Sequence, residues 1–293
     1  MEVIALAASA PCHHILYWTS PMLHHYTTVS TLALILRHQT LRFTRLDQFD
    51  DVTEGRSIGH FPLGARTFAS CWSAAREESI PQWAMYGDGM KGIRLSLRPD
   101  PFIWHPIDIR WHENFQFIDL QAPYSLEEML ASNITLAPTP EMKAMFGQRV
   151  RYVPDVQAAI EHLYSNPTPD ELTLFGEGTE IAYFKPSAWA FQEEYRFVLA
   201  ASPGPETPYQ GDSAAYIRAR GDWHRTGVDI VRDIPNRTHV DIRLDSEALR
   251  SAEILVGPLA PAGTFEIVES LVSKFAKGAR IKMSSLSNTI RPR

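Results

Sequence analysis

Cysteine is scarce, with only Cys12 and Cys71 in 293 residues. Two thiols build neither a disulfide scaffold nor a cysteine-based zinc centre, so a reducing cytosol is the expected compartment. Long apolar runs are lacking too. The longest, Ile4–Ala10 and Leu32–Leu36, fall well short of the ~20 residues a membrane helix requires, so no membrane partner is expected. The opening MEVIALAASAPC carries Glu2 and no Lys or Arg ahead of its apolar stretch, unlike a secretory leader. Charge of one sign is also missing. Lys and Arg number 28 against 34 Asp and Glu, a formal charge of −6. That excludes a general nucleic-acid coat while leaving room for a local basic groove. Neither a Gly-rich phosphate loop, a Rossmann fingerprint, a G-x-S-x-G elbow nor an internal repeat is present. What remains is a chain with 44% hydrophobic and 21% charged residues, ordinary for a globular fold and long enough for one large domain over 1–293.

The pattern predicts short strands and helices without a steady βαβ rhythm, hence an α+β class. A polar-aromatic cluster, His24-His25-Tyr26-Thr27, precedes a helix over Ser30–His38. Leu41–Leu46 alternates as a half-buried strand, and an acidic loop, Asp47–Glu54, follows. Strands are expected over 66–72 and 92–97, with a short helix capped by Ser79 between them. Residues 122–182 are less regular, with helical pieces at 126–132, 156–164 and 170–176, and read as an insertion or lid apart from the sheet. The strongest strand is Glu194–Ala201. Residues 203–238 read as a long surface excursion. Strands over 239–244, 252–256 and 280–284 and a helix over 264–276 complete the chain, with Gly278 as the helix's C-cap.

Five groups of residues invite chemistry. In Lys185-Pro-Ser-Ala-Trp-Ala-Phe-Gln192-Glu-Glu194-Tyr-Arg196, Gln192 and Glu194 stand two apart at a strand entrance, so both project to one side. A carboxylate beside an amide suits a reaction that builds positive charge on a sugar. Equally, Glu194 is a strand-end charge that would pair with Arg196 or Lys185. His25 is placed to meet a ribose hydroxyl, or is simply packed. With His13, His14 and His24 it raises a metal, but adjacent pairs do not readily converge on one ion, and no metal site is expected. Trp83 and Tyr86, three apart on one helical face, are suited to stacking on a flat heterocycle or to filling the core. Asp50, Asp51 and Glu54 provide hard oxygen ligands for a divalent cation in a metal-dependent nuclease or hydrolase, or cap a solvated loop. Arg218, Arg220 and Arg225, with Trp223 and His224 between them, offer a phosphate or nucleic-acid contact, or a solvated face. Cys71, near the end of a strand, reads as a small buried apolar residue, with a nucleophile as the alternative.

In order along the chain, His25-Tyr26-Thr27, Leu41-Arg42-Phe43-Thr44, Asp50-Asp51-Val52-Thr53-Glu54, Cys71-Trp72-Ser73, Trp83 to Gly92 and Lys185 to Arg196 resemble a large bacterial family known as a domain of unknown function. Val52 stands where that family has proline, and Gln192 where it has a first glutamate. The same order resembles the ADP-ribosyltransferase superfamily. The resemblance implies two packed, mainly antiparallel sheets with flanking helices around an NAD cleft. It implies that Glu194 stabilises the ribosyl cation with Gln192 and His25 beside it. It further implies that His25, Tyr26, Thr27, Ser73, Trp83 and Tyr86 hold NAD, with Arg42 and Arg45 at the pyrophosphate. The implied activity is transfer of ADP-ribose from NAD to a macromolecular acceptor, a nucleic-acid base or protein side chain, by a toxin or phage-defence effector with an antitoxin or immunity protein as partner. A non-catalytic nucleotide- or protein-binding module of the same fold is the alternative.

Overall fold

The computed structural model describes residues 22–112, 115–175 and 178–291. Cys12, His13, His14 and the amino-terminal apolar stretch lie outside them. The first half of the chain runs β1 (Leu23–Thr27), α1 (Val29–His38), β2 (Thr40–Arg45), β3 (Thr67–Ser73), α2 (Ile80–Met85), β4 (Ile93–Leu97), β5 (His105–His112) and β6 (Phe115–Ala122). It continues with α3 (Leu126–Met129), β7 (Thr135–Ala137), α4 (Met142–Met145), β8 (Gly147–Arg149), β9 (Arg151–Val153), α5 (Val156–Ile160), β10 (Tyr164–Ser165), β11 (Thr173–Leu174) and β12 (Phe184–Pro186). The last part comprises β13 (Glu194–Ser202), α6 (Ser213–His224), β14 (His239–Arg243), α7 (Ser246–Arg250), β15 (Glu253–Val256), α8 (Thr264–Phe275) and β16 (Arg280–Met283). The class is α+β.

Local chemistry places the helices. Thr28 accepts from the Thr31 N–H and starts α1, whose Leu32, Ile35 and Leu36 are buried, and Gln39 ends it in the left-handed region (φ 53°). Ser79 caps α2, with Pro81 harmless in its first turn. Helix α8 lies beside α1 and buries Val268 and Val272.

Ten strands form one hydrogen-bonded network in the order β14-β2-β3-β1-β4-β15-β16, with β13 joined to β3 and carrying β7 and β8. Only β15–β16 is parallel within it. Strand β13 pairs with β3 along its whole length, Thr67 to Ser73. The other edge of β3 is shared. Strand β2 takes its start, at Phe68 and Ala69, and β1 takes its end, at Ser73. The sheet therefore forks on β3, and the stretch between the two branches is left open on that edge. The main core packs Leu32, Leu36, Phe43, Phe68, Leu95, Phe146, Phe197, Ile254 and Val268, drawn from both branches and the helices.

Three expectations change. Strands β7 and β8, inside 122–182, extend the sheet by pairing with β13, so that segment is not set apart from it. Their brevity hid them from a search for period-two alternation. Residues 170–176 hold no helix among those described. Asn166 binds the Thr168 and Glu171 carbonyls, turning the chain so that β11 returns along β10. Within 203–238, α6 appears without an apolar stripe, since Tyr216 is its one buried side chain and its start is marked by the Asp212 cap. Among the described residues no helix is long and apolar enough to cross a membrane.

Gly92 stands where β4 meets β1, and a Cβ there would lie 2.1 Å from the Thr27 carbonyl oxygen. Gly92→Ala is expected to cost about 1–3 kcal/mol through overpacking. Gly221 in α6 has its nearest neighbour at 3.9 Å. Gly221→Ala is therefore expected to stabilise by roughly 0.5–1 kcal/mol through helix propensity. Urea unfolding of both variants reads the contrast.

Candidate functional site

A cavity of about 340 Å³ opens at the fork of the sheet. Strand β1 contributes His24, His25 and Tyr26, β2 contributes Thr44, and β3 contributes Cys71, Trp72 and Ser73. Phe49 and Asp50 come from the loop after β2, and Gln82 and Tyr86 from α2 and its C-cap. Lys185, Gln192 and Glu194 close it from the β12–β13 side. Segments up to 170 residues apart in sequence thus meet here because β13 pairs with the strand from which β1 and β2 diverge.

Glu194 is 5% exposed, and its charge is matched. Arg196, fully buried, donates from Nε to Oε1 at 2.7 Å and from Nη2 to Oε2 at 3.1 Å. Lys185 Nζ reaches Oε2 at 3.3 Å. Both cations also face Glu54, whose Oε1 lies 3.1 Å from Lys185 Nζ and whose Oε2 pairs with Arg196 Nη1. Glu54 makes ion pairs without an aligned hydrogen bond, so its part is charge balance. Two carboxylates and two cations make a buried, neutral cluster. Burial pushes the Glu194 carboxyl up, but Arg196 and Lys185 overcome this and hold it down at about 2. It is therefore ionised at neutral pH. Lys185 is held charged in turn, with Trp189 4.7 Å from its ammonium.

The histidines, the thiol and the tyrosine at the cavity stay neutral. His25 is half-buried, its Nδ1 lies 3.0 Å from the Cys71 carbonyl, and its ring lies 5.1 Å from that of Trp72. Burial lowers its pKa. A carbonyl only accepts, so Nδ1 carries the proton and Nε2 is left as an acceptor. His24 binds Ser96 Oγ at 2.8 Å, and burial together with nearby Arg94 lowers its pKa to about 4. Burial, reinforced by the Glu194 charge, pushes the Cys71 thiol well up, so it is no thiolate nucleophile. Tyr86 donates to Asp50 Oδ2 at 2.7 Å and accepts from Gln192 Nε2 at 2.8 Å. Burial and the Asp50 bond keep it protonated.

Of the residues singled out in the sequence, His25, Tyr26, Ser73, Tyr86, Gln192 and Glu194 meet at this cavity. Tyr26 directs its hydroxyl to the Ser79 N–H, and Ser73 Oγ accepts from the Ala75 N–H. Trp83 does not reach the cavity. It is fully buried, edge-on to Tyr26 at 4.9 Å, and donates to Glu78. Its apolar area holds it in the core, so Tyr86 alone of the two lines the cavity. Thr27 is buried where β1 pairs with Ile93 of β4. Arg42 and Arg45 also stand outside. Arg42 pairs with Asp241 on the neighbouring strand at 3.0 Å, and Arg45 is held by Asp47 at 2.7 Å and by the Pro235 and Arg237 carbonyls. Alternation along β2 turns Arg45 and Thr44 to opposite faces, and Asp241 holds Arg42.

The acidic loop does not converge on an ion. Asp50 binds Tyr86, Asp51 caps a turn through the Thr53 N–H and hydroxyl, and Glu54 joins the buried cluster. Among the described residues no group of three or more His, Cys, Asp or Glu is arranged to hold a metal. Arg218, Arg220 and Arg225 belong to α6 and its C-cap, away from the cavity lining, and Arg225 pairs with Asp222. Phe49, Thr44 and Gln82 were not among the expected site residues, and for Phe49 and Gln82 nothing local marks them. Thr44 and Glu54 stand in the motif order, and Glu54 was also among the acidic-loop carboxylates.

Removing one partner from the cluster leaves a charge buried without its counterpart. Glu54→Gln is expected to destabilise by about 3–5 kcal/mol. Lys185→Met in the same chain restores charge balance, so the double variant should lose less than the two single losses added. Denaturant unfolding of the three variants checks this. The histidines generate a pH dependence. Unfolded His24 takes a proton near 6.5 and folded His24 only near 4. Acid therefore favours the unfolded chain. Stability is complete above about 6.5 and falls toward 4 by on the order of 2–3 kcal/mol, with His25 acting in the same sense. His24→Asn should flatten the melting temperature against pH across that window.

Comparison with protein-family models, with curated proteins and with solved structures finds no match for this chain.

Proposed function

We propose that the cavity binds NAD as a substrate and that the protein transfers ADP-ribose. The observation that supports this best is the meeting of His25, Tyr86, Gln192 and an ionised Glu194 in one aromatic-walled cavity at the fork of the sheet. The fork separates the strands into two branches, as an ADP-ribosyltransferase-like pair of sheets about a cleft requires. The cavity volume suits the nicotinamide riboside half of NAD, with Phe49, Trp72 and Tyr86 for the ring and His25 Nε2 and Glu194 for ribose hydroxyls.

In the reaction, the bond from the anomeric carbon to the pyridinium nitrogen breaks, and nicotinamide leaves neutral with the electron pair. The sugar becomes cationic beside the Glu194 carboxylate. A lone pair of the acceptor forms the new bond to the anomeric carbon, and the acceptor's proton passes to solvent. Neutral imidazoles and a protonated thiol add no further charge beside Glu194. The acceptor is a nucleic-acid base or a protein side chain, the role a toxin or phage-defence effector, and an antitoxin or immunity protein its natural restraint. These follow from the resemblance at Gln192 and Glu194.

A second reading has its own observation. Glu194 is paired on both oxygens within a neutral cluster, which weakens its field at a sugar cation and suits a nucleotide- or protein-binding module without catalysis.

Nicotinamide release from NAD by the purified protein, with lysate as acceptor, separates the two. Transfer is expected to be at least about a hundredfold slower in Glu194→Gln, the scale of losing a charge aimed at the transition state. Because that variant also breaks the cluster, near-ultraviolet circular dichroism must show it folded, and His25→Ala serves as a second variant. NAD binding without release would assign the module. Neither binding nor release would remove NAD from the account.

A further inference from the structure

The chain of hydrogen bonds Gln192–Tyr86–Asp50 has a direction. A carboxylate carries no hydrogen to give, so the 2.7 Å contact at Asp50 Oδ2 consumes the single phenolic proton of Tyr86. The phenolic oxygen must then accept, and the 2.8 Å contact is a donation from Gln192 Nε2. Turning the amide over would leave Tyr86 one proton for two acceptors, so the network itself assigns nitrogen and oxygen. The backbone is anchored as well, since the Gln192 carbonyl accepts from Gln82 Nε2 at 3.1 Å. Gln192 Oε1 is left buried in a residue only 3% exposed, on the cavity wall, with no partner.

An orphaned buried acceptor is destabilising, and a ligand that donates to it recovers that cost. Its surroundings narrow the ligand. His25 Nε2 accepts, and the Asp50 carboxylate at the same wall is negative. Lys185, the one Lys or Arg on the lining among the described residues, is engaged by Glu54 and Glu194. A carboxylate set against Gln192 Oε1 would meet acceptors and negative charge. Phe49, Trp72 and Tyr86 favour a flat ring.

We propose that Gln192 Oε1, held by Tyr86 and Asp50, accepts an N–H from a primary carboxamide on a flat aromatic ring and excludes the isosteric carboxylate. On the NAD reading, on which this rests, the carboxamide is that of nicotinamide. Gln192 is then a specificity-determining residue, and Tyr86 and Asp50 position it.

Calorimetric titration of the intact protein with nicotinamide and nicotinate, and with NAD and its nicotinic-acid counterpart, tests this. The amide of each pair is expected to bind about ten- to a hundredfold tighter, the worth of one buried hydrogen bond against an unpaired acceptor. Gln192→Met should abolish the preference by weakening the amide. Tyr86→Phe keeps the ring but frees the amide to turn its NH2 inward, so nicotinate should gain affinity and the ratio narrow. Equal binding of amide and acid overturns the proposal, as does an unchanged ratio in Tyr86→Phe. Selective nicotinamide binding without NAD cleavage upholds the proposal and removes the transferase reading. Cleavage of NAD and its acid counterpart with equal affinity does the reverse. No binding of either pair overturns both.

Discussion

The buried cluster of Glu54, Lys185, Glu194 and Arg196 is the interaction on which the site depends. Its members come from the loop after β2, from β12 and from the head of β13, and none has appreciable access to water. An isolated charge in such a place would neutralise itself or unfold its surroundings. Two cations facing two carboxylates remove that instability and tie three separate segments together at the cavity wall. The same pairing sets the charge state of Glu194. Without Glu54, both cations would bear on Glu194 alone. With it, Glu194 remains a carboxylate whose charge is shared but not cancelled by a single partner.

The fork on β3 supplies the space. A strand has two edges, and β13 occupies one of them from end to end. The other passes from β2 to β1 partway along, and the gap exposes the Cys71 carbonyl to His25. That backbone acceptor sets the histidine tautomer, as Asp50 sets the direction of the Tyr86 and Gln192 bonds. The polar lining is in this way biased toward accepting hydrogen bonds. A ligand rich in hydrogen-bond donors is the natural complement.

Much of this architecture was legible in the sequence, and the parts that were not share a cause. Strands β2, β3, β4 and β13 and helices α1, α2 and α8 announce themselves by alternation, by helical spacing and by Ser79 as a cap, all short-range signals. The three-residue strands β7 and β8 are too short to show a period, and β13 alone defines them as sheet. Helix α6 lacks an apolar stripe. Trp83 and Tyr86 share a helical face, yet one is core and the other lines the cavity, because the surroundings of α2, not its periodicity, separate them. Arg42 and Arg45 are held away from the cavity by Asp241 and Asp47.

By itself the sequence determined the α+β class, the order of the principal strands and the proximity of Gln192 to Glu194, since two residues at a strand head project together. Tertiary structure alone decided that Glu54, 140 residues earlier than Glu194, would balance its cations, that Tyr86 and Asp50 would orient Gln192, and that His25 would find the Cys71 carbonyl. These contacts join segments far apart in the chain. Such contacts leave no local period or spacing to read, and they exist only once β13 has paired with β3.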